Sequence, residues 1–81
     1  MTAVRRPNLP KPVAVQADAG GRPVRVGRRP VEAVRETWLL EDGWWTSQPI
    51  RRRYWEVLLL GGKLMVLFHD LEDGAWFSQR G

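Results

Sequence analysis

All five tryptophans of this 81-residue chain, Trp38, Trp44, Trp45, Trp55 and Trp76, lie after position 37. Tyr54, Phe68 and Phe77 join them, and the triple arginine Arg51-Arg52-Arg53 sits in their midst. A chain this short forms one domain and buries a smaller fraction of its surface than a longer one. It has no cysteine, so neither a disulfide nor a thiolate metal site can staple it. Large side chains, or a second subunit, must supply the stability. Each large aromatic removes roughly 150–250 Å² from water when buried. Aromatics at this density read in two ways: as the core of a very small β domain, or as a stacking surface flanked by positive charge.

Charge is unevenly spread. Residues 1–35 carry eight basic side chains against Asp18 and Glu32, a net of +6, whereas residues 36–81 carry five against seven acidic ones, a net of −2. A basic half points to a polyanion such as nucleic acid. Against that stands an arginine bias over the whole chain, eleven Arg to two Lys, typical of high-GC genomes. No apolar run approaches the roughly 20 residues of a membrane span, so no membrane partner is expected. Arg5 and Arg6 have no apolar stretch behind them, so no secretory signal is read and the expected location is cytoplasmic.

The first eleven residues, MTAVRRPNLPK, read as a flexible basic arm, because Pro7, Pro10 and Pro12 hold φ and remove donors. From residue 12 to 81 one small β domain is expected. Val13, Val15 and Ala17 alternate, Asp18-Ala19-Gly20-Gly21 offers turn chemistry, and Val24 and Val26 alternate again, which predicts a hairpin. Gly27 to Pro30 reads as a break. Val31 to Glu41 fits helical spacing at Val31, Val34 and Trp38, but nothing caps its start and its residues are β-prone. A long strand is therefore expected, with a bulge near Val34 where the alternation changes phase.

Asp42-Gly43 is a turn dipeptide. Ile50 to Leu60 reads as a strand with Arg51, Arg53, Trp55, Val57 and Leu59 on one face and Ile50, Arg52, Tyr54, Glu56, Leu58 and Leu60 on the other. Gly61-Gly62 predicts a two-residue hairpin turn. Lys63 to His69 returns, Asp70 to Gly74 turns, and Ala75 to Gln79 closes. The Val57–Leu60 and Leu64–Phe68 stretches are apolar on both faces, as in strands covered on both sides. The expected fold is an all-β antiparallel meander of five or six strands, half-closed like a small barrel. A homodimer would cover the apolar surface left over.

No constellation for catalysis stands out. His69 is the only histidine; Asp70, Glu72 and Asp73 follow it, but neighbours on a strand point to opposite faces, so a solvated turn is expected rather than a metal site. Ser47 and Ser78 lack a base at a recognisable spacing. Gly61-Gly62 leads into no helix and no Lys-Ser/Thr pair, so it is not a phosphate loop. Neither enzyme activity, nor a cofactor, nor a metal is expected.

Five residues form the candidate binding surface: Trp44, Trp45, Arg51, Arg53 and Trp55. In an extended Trp44-Trp45 pair one indole faces outward, an anchor for a partner, unless both plug a barrel end. Arg51 and Arg53 share a face with Trp55, where guanidinium groups can pair with phosphates and an indole can stack on a base. Alternatively Trp55 is core, and the arginines pair with Glu36, Glu41 or Asp42 across the sheet.

The pieces GGRPVRVGRR, VRETWLLEDGWW and IRRRYWEVLLLGGKLMVLFHDLEDGAWFSQRG, in that order, resemble a small bacterial domain of unknown function. A similar segment closes the C-terminal region of ImuB-type proteins, catalytically dead relatives of Y-family translesion polymerases. The matching residues are Gly21 to Val26, Trp44-Trp45, Arg51 to Val57, and Gly74 to Phe77. The polymerase-like body has no counterpart here, and the resemblance carries no catalytic or ligand residue. It implies a non-catalytic adaptor in DNA repair or translesion synthesis, with a protein partner in DNA transactions. The alternative is a small barrel that binds single-stranded nucleic acid directly.

Overall fold

The computed structural model describes residues 9–79. Over these residues the chain is all β: β1 (Lys11–Pro12), β2 (Val15–Ala17), β3 (Pro23–Val26), β4 (Arg29–Asp42), β5 (Ile50–Leu59), β6 (Lys63–Asp70) and β7 (Trp76–Gln79). All pairings are antiparallel, in the order β1-β7-β6-β5-β4-β3-β2. The two end strands, β1 and β2, are separated in the chain only by Val13 and Ala14. The sheet therefore curls into a half-barrel. Val13 donates its N–H to Trp76 O at 3.1 Å, and Gly27 donates to Ala14 O at 2.8 Å. Residues 11–17 thus lash β7 to β3.

Seven strands replace the expected five or six because the first expected strand changes partner at Val13-Ala14. Lys11, the last residue of the expected arm, lies in β1 opposite Ser78. Residues 1–8 of that arm fall outside the described residues.

Local chemistry sets the turns. Between β2 and β3, Asp18 Oδ1 accepts the N–H groups of Gly20 (2.9 Å) and Arg22 (3.0 Å). This Asx arrangement stands in for a backbone turn. The β5–β6 connection is one residue longer than expected. Leu59 pairs with Lys63, and Leu60 leaves the ladder to donate its N–H to Pro30 O at 2.9 Å. Gly61 and Gly62 follow at φ of 102° and 94°, values that residues with a Cβ rarely adopt. β4 carries two register shifts, at Val31/Ala33 and Val34/Glu36, so the bulge read near Val34 is present.

The concave face holds Val26, Val57, Leu59 and Leu67, with Val13, Val15, Val31, Val34, Trp55, Met65 and Trp76 packed against them. Full burial of one such aliphatic side chain contributes about 1.5–3 kcal/mol.

The opposite face carries a second apolar unit. Trp38, Tyr54, Phe68 and Phe77 stand opposite one another in register across β4, β5, β6 and β7. Their ring centroids are spaced 5.2, 5.2 and 5.0 Å apart. Tyr54 and Phe68 are buried within this row, and the Arg52 guanidinium lies 4.4 Å over the Phe68 ring. Burial on both faces, expected for the apolar runs of β5 and β6, holds at Leu67 and Phe68. It fails at Leu60 and Leu64, both exposed near the β5–β6 turn.

β3 reaches β4 only at Arg29 and Pro30. Beyond Pro30, β5 is the only strand paired with β4 among the described residues. The β4–β5 hairpin extends past the sheet only beyond Arg52, the last β5 residue paired with β6, and on β4 Thr37 to Asp42 are all exposed.

Candidate interaction surface

Asp42 and Gly43 open the loop over residues 43–49 that caps the hairpin. Asp42 Oδ1 accepts the Gly43 N–H at 2.8 Å, and Thr46 N–H bonds Gly43 O at 2.8 Å. Thr46 Oγ1 donates to Gly43 O at 2.7 Å and accepts from Gln48 N at 3.2 Å. Gly43 sits at φ 66°, and a Cβ there would come within 3.3 Å of Thr46 Oγ1. The loop is thus held by its own polar groups and leaves both indoles outside.

Trp44 is 76 % and Trp45 67 % exposed. Their rings meet edge to face at 5.3 Å and 88°. Neither plugs the barrel. Trp38, Leu39, Leu40 and Ile50 on the two arms of the hairpin are exposed as well, and so is Leu71 on the β6–β7 turn. Single exposed apolar residues are ordinary, but this many on one projecting hairpin mark a contact surface.

The arginines divide. Arg51 Nε lies 3.1 Å from Glu41 Oε2, and its Nη1 lies 3.7 Å from Glu72. Its carbonyl accepts the Leu71 N–H at 2.9 Å, so one residue ties β4, β5 and the β6–β7 turn together. Arg53 is half-buried, opposite Leu39 and His69. Trp55 packs against the concave core, and its Nε1 is buried with no hydrogen-bond partner among the described residues. The structure therefore brings Trp44 and Trp45 together at the tip, sets Arg51 in an ion-pair cluster on the same hairpin, and places Trp55 among core side chains.

The His69 region is a turn closed on itself. The His69 ring stacks on Trp76 at 4.4 Å, and its Nε2 lies 3.2 Å from Gly74 O. Asp70 Oδ1 accepts the Glu72 and Asp73 N–H groups at 2.8 and 3.3 Å. Among the described residues no three His, Asp or Glu side chains gather as a metal-ligand set. Among the described residues no helix is long and apolar enough to cross a membrane.

The aromatic row escaped the reading of isolated residues, because its members are far apart in sequence and meet only through strand register. The basic half of the chain contributes a group of exposed arginines: Arg22 just before β3, Arg25 on β3, Arg28 in the β3–β4 turn and Arg29 at the start of β4. Arg25 Nη1 donates to Arg28 O at 2.9 Å. Among the described residues both ion pairs within 4.0 Å belong to Arg51, so these four arginines have no carboxylate partner at that range.

Compared with known proteins, the chain matches no family model, no curated protein and no solved structure.

Proposed function

We propose that this protein is a non-catalytic adaptor that docks on another protein through the tip of its β4–β5 hairpin. The observation that carries this reading is the pair of exposed indoles, Trp44 and Trp45, on a loop already ordered by Asp42 and Thr46. Tryptophan is enriched among residues that dominate interface energies, and a pre-ordered loop loses little freedom on docking. Arg51 supports the same reading, since Glu41 and Glu72 already take up its charge. The likeness to the tails of ImuB-type proteins points to a partner in DNA damage tolerance.

Binding of a purified ImuB-type protein by the wild type and by the Trp44→Ala, Trp45→Ala double variant tests this. The variant should bind about thirtyfold more weakly or worse, the loss that follows from removing a contact worth about 2 kcal/mol. Equal binding by both proteins would move the site elsewhere.

A second reading, direct binding of single-stranded nucleic acid, is favoured by one observation, the exposed set Arg22, Arg25, Arg28 and Arg29, which among the described residues has no carboxylate within 4.0 Å. Phosphate contacts release counterions, so such affinity should fall steeply between about 50 and 200 mM salt. Fluorescence anisotropy of a labelled oligonucleotide at both salt concentrations separates the readings. Tight, salt-sensitive binding supports the nucleic-acid module, and no binding at low salt discards it.

A further inference from the structure

We propose that the open edge of β4 pairs with the same edge of a second copy, antiparallel, about a two-fold axis at Trp38. This surface is distinct from the hairpin tip.

From Glu36 to Asp42, β4 pairs with β5 without a register shift, and no proline or lysine interrupts it. Its other edge has no strand beside it among the described residues. Strand edges are usually blunted by prolines, lysines, bulges or short length. Elsewhere in this sheet they are: β1 has two residues and one is Pro12, and β2 has three. β4 instead presents Trp38, Leu39 and Leu40, all exposed, beside an unpaired row of backbone groups.

The charge pattern selects a second copy of this chain, and one register. A two-fold axis normal to the sheet places each residue opposite the one equally far on the other side of the axis. Centred on Trp38, Thr37 falls opposite Leu39 and Glu36 opposite Leu40 of the second copy, and Arg35, the extra residue of the Val34/Glu36 bulge, shares with Val34 the place opposite Glu41. Symmetry makes the Arg35–Glu41 pair twice. Centred on Thr37 instead, Glu32 comes level with Glu41 once the two bulges are counted. Centred on Leu39, Glu36 meets Asp42. Both oppose like charges, which destabilises a cross-strand pair. Centred on Leu40, no opposite charges meet at all. The Trp38 register is the only one of these four that joins opposite charges without opposing like ones.

The aromatic row agrees with this register. It runs Phe77, Phe68, Tyr54, Trp38 and ends at the open edge, where Trp38 remains 38 % exposed. Pairing at Trp38 joins the two rows into one across eight strands and covers the terminal ring of each.

Sedimentation equilibrium of the full chain across the micromolar range tests the proposal, with amide exchange of residues 35–42 followed at low and high concentration. The expected result is a monomer–dimer equilibrium, with exchange on that segment slowing as dimer forms. Arg35→Glu should weaken the dimer by about tenfold or more, because two attractive cross-strand pairs become repulsive. Arg35→Glu combined with Glu41→Arg should restore it, and circular dichroism confirms that each variant is folded. A monomer at every concentration overturns the proposal. So does a dimer that Arg35→Glu leaves unchanged and whose β4 amides stay unprotected. Protection that appears only when an extended foreign peptide is added assigns the edge to another strand and equally overturns self-pairing.

Discussion

Trp38 on β4 and Tyr54 on β5 stack face to face, with ring centroids 5.2 Å apart and planes 2° from parallel. The Tyr54 hydroxyl reaches across to Gln79 Oε1 at 3.3 Å and accepts from Arg52 Nη1 at 3.4 Å. Four strands are therefore stitched on the face away from the core. A domain this small holds few fully buried side chains, so a second apolar layer on the other face adds substantially to its stability.

Trp38 and Tyr54 should be energetically coupled. A double-mutant cycle of Trp38→Ala and Tyr54→Ala, read by denaturant unfolding, should give a coupling of about 0.5–1.5 kcal/mol. Purely additive losses would mean that the stack contributes nothing beyond burial.

Leu67→Ala should be among the most damaging single changes. Leu67 is fully buried on β6, between β7 and β5, and such truncations cost about 2–5 kcal/mol through lost burial and a residual cavity. Against the thin margin of a small domain, calorimetry should show a large fall in Tm or no cooperative transition.

Trp44→Ala and Trp45→Ala should behave in the opposite way. Both side chains are exposed, so each change should alter unfolding free energy by less than about 0.5 kcal/mol. A fall of several degrees in Tm would show that the loop indoles are structural.

The double variant Arg51→Ala, Arg53→Ala should remain folded. The Arg51–Glu41 pair is half-exposed on both sides, and ion pairs of this kind contribute about 0–1 kcal/mol, less at high salt. Loss of cooperative unfolding in this variant would make the arginines part of the framework.

A Gly62→Val change should cost about 1–3 kcal/mol by backbone strain alone. Gly62 sits at φ 94°, and among the described residues nothing beyond its chain neighbours lies within 4 Å of the position a Cβ would take. Stability equal to wild type in urea would show that the turn relaxes to another conformation.

The hairpin, the long strand with its bulge and the turn at Asp42-Gly43 were legible in the chain because each depends on neighbours in sequence. Asp18 acts through its side-chain carboxylate on the next few residues, Gly43, Gly61 and Gly62 act through their own backbone geometry, and alternation of side chains survives any sheet arrangement. The length of the β5–β6 turn was misread by one residue. Leu60 looks like one more apolar strand residue, and only its bond to Pro30 O, a contact distant in sequence, takes it out of the ladder.

The candidate surface was legible by residue type and not by placement. Trp44, Trp45 and Trp55 look alike in sequence, yet two end exposed and one packs against the core. Local sequence by itself determined that this chain alternates as strands, where it turns, and that its aromatics must carry much of the burial. Only the tertiary structure decided which edge of β4 stays unpaired, which arginine meets Glu41, and which indoles face water. Each of those outcomes depends on strand order and on how far the sheet curls. They are set by contacts between residues remote in the chain, and no local preference encodes them.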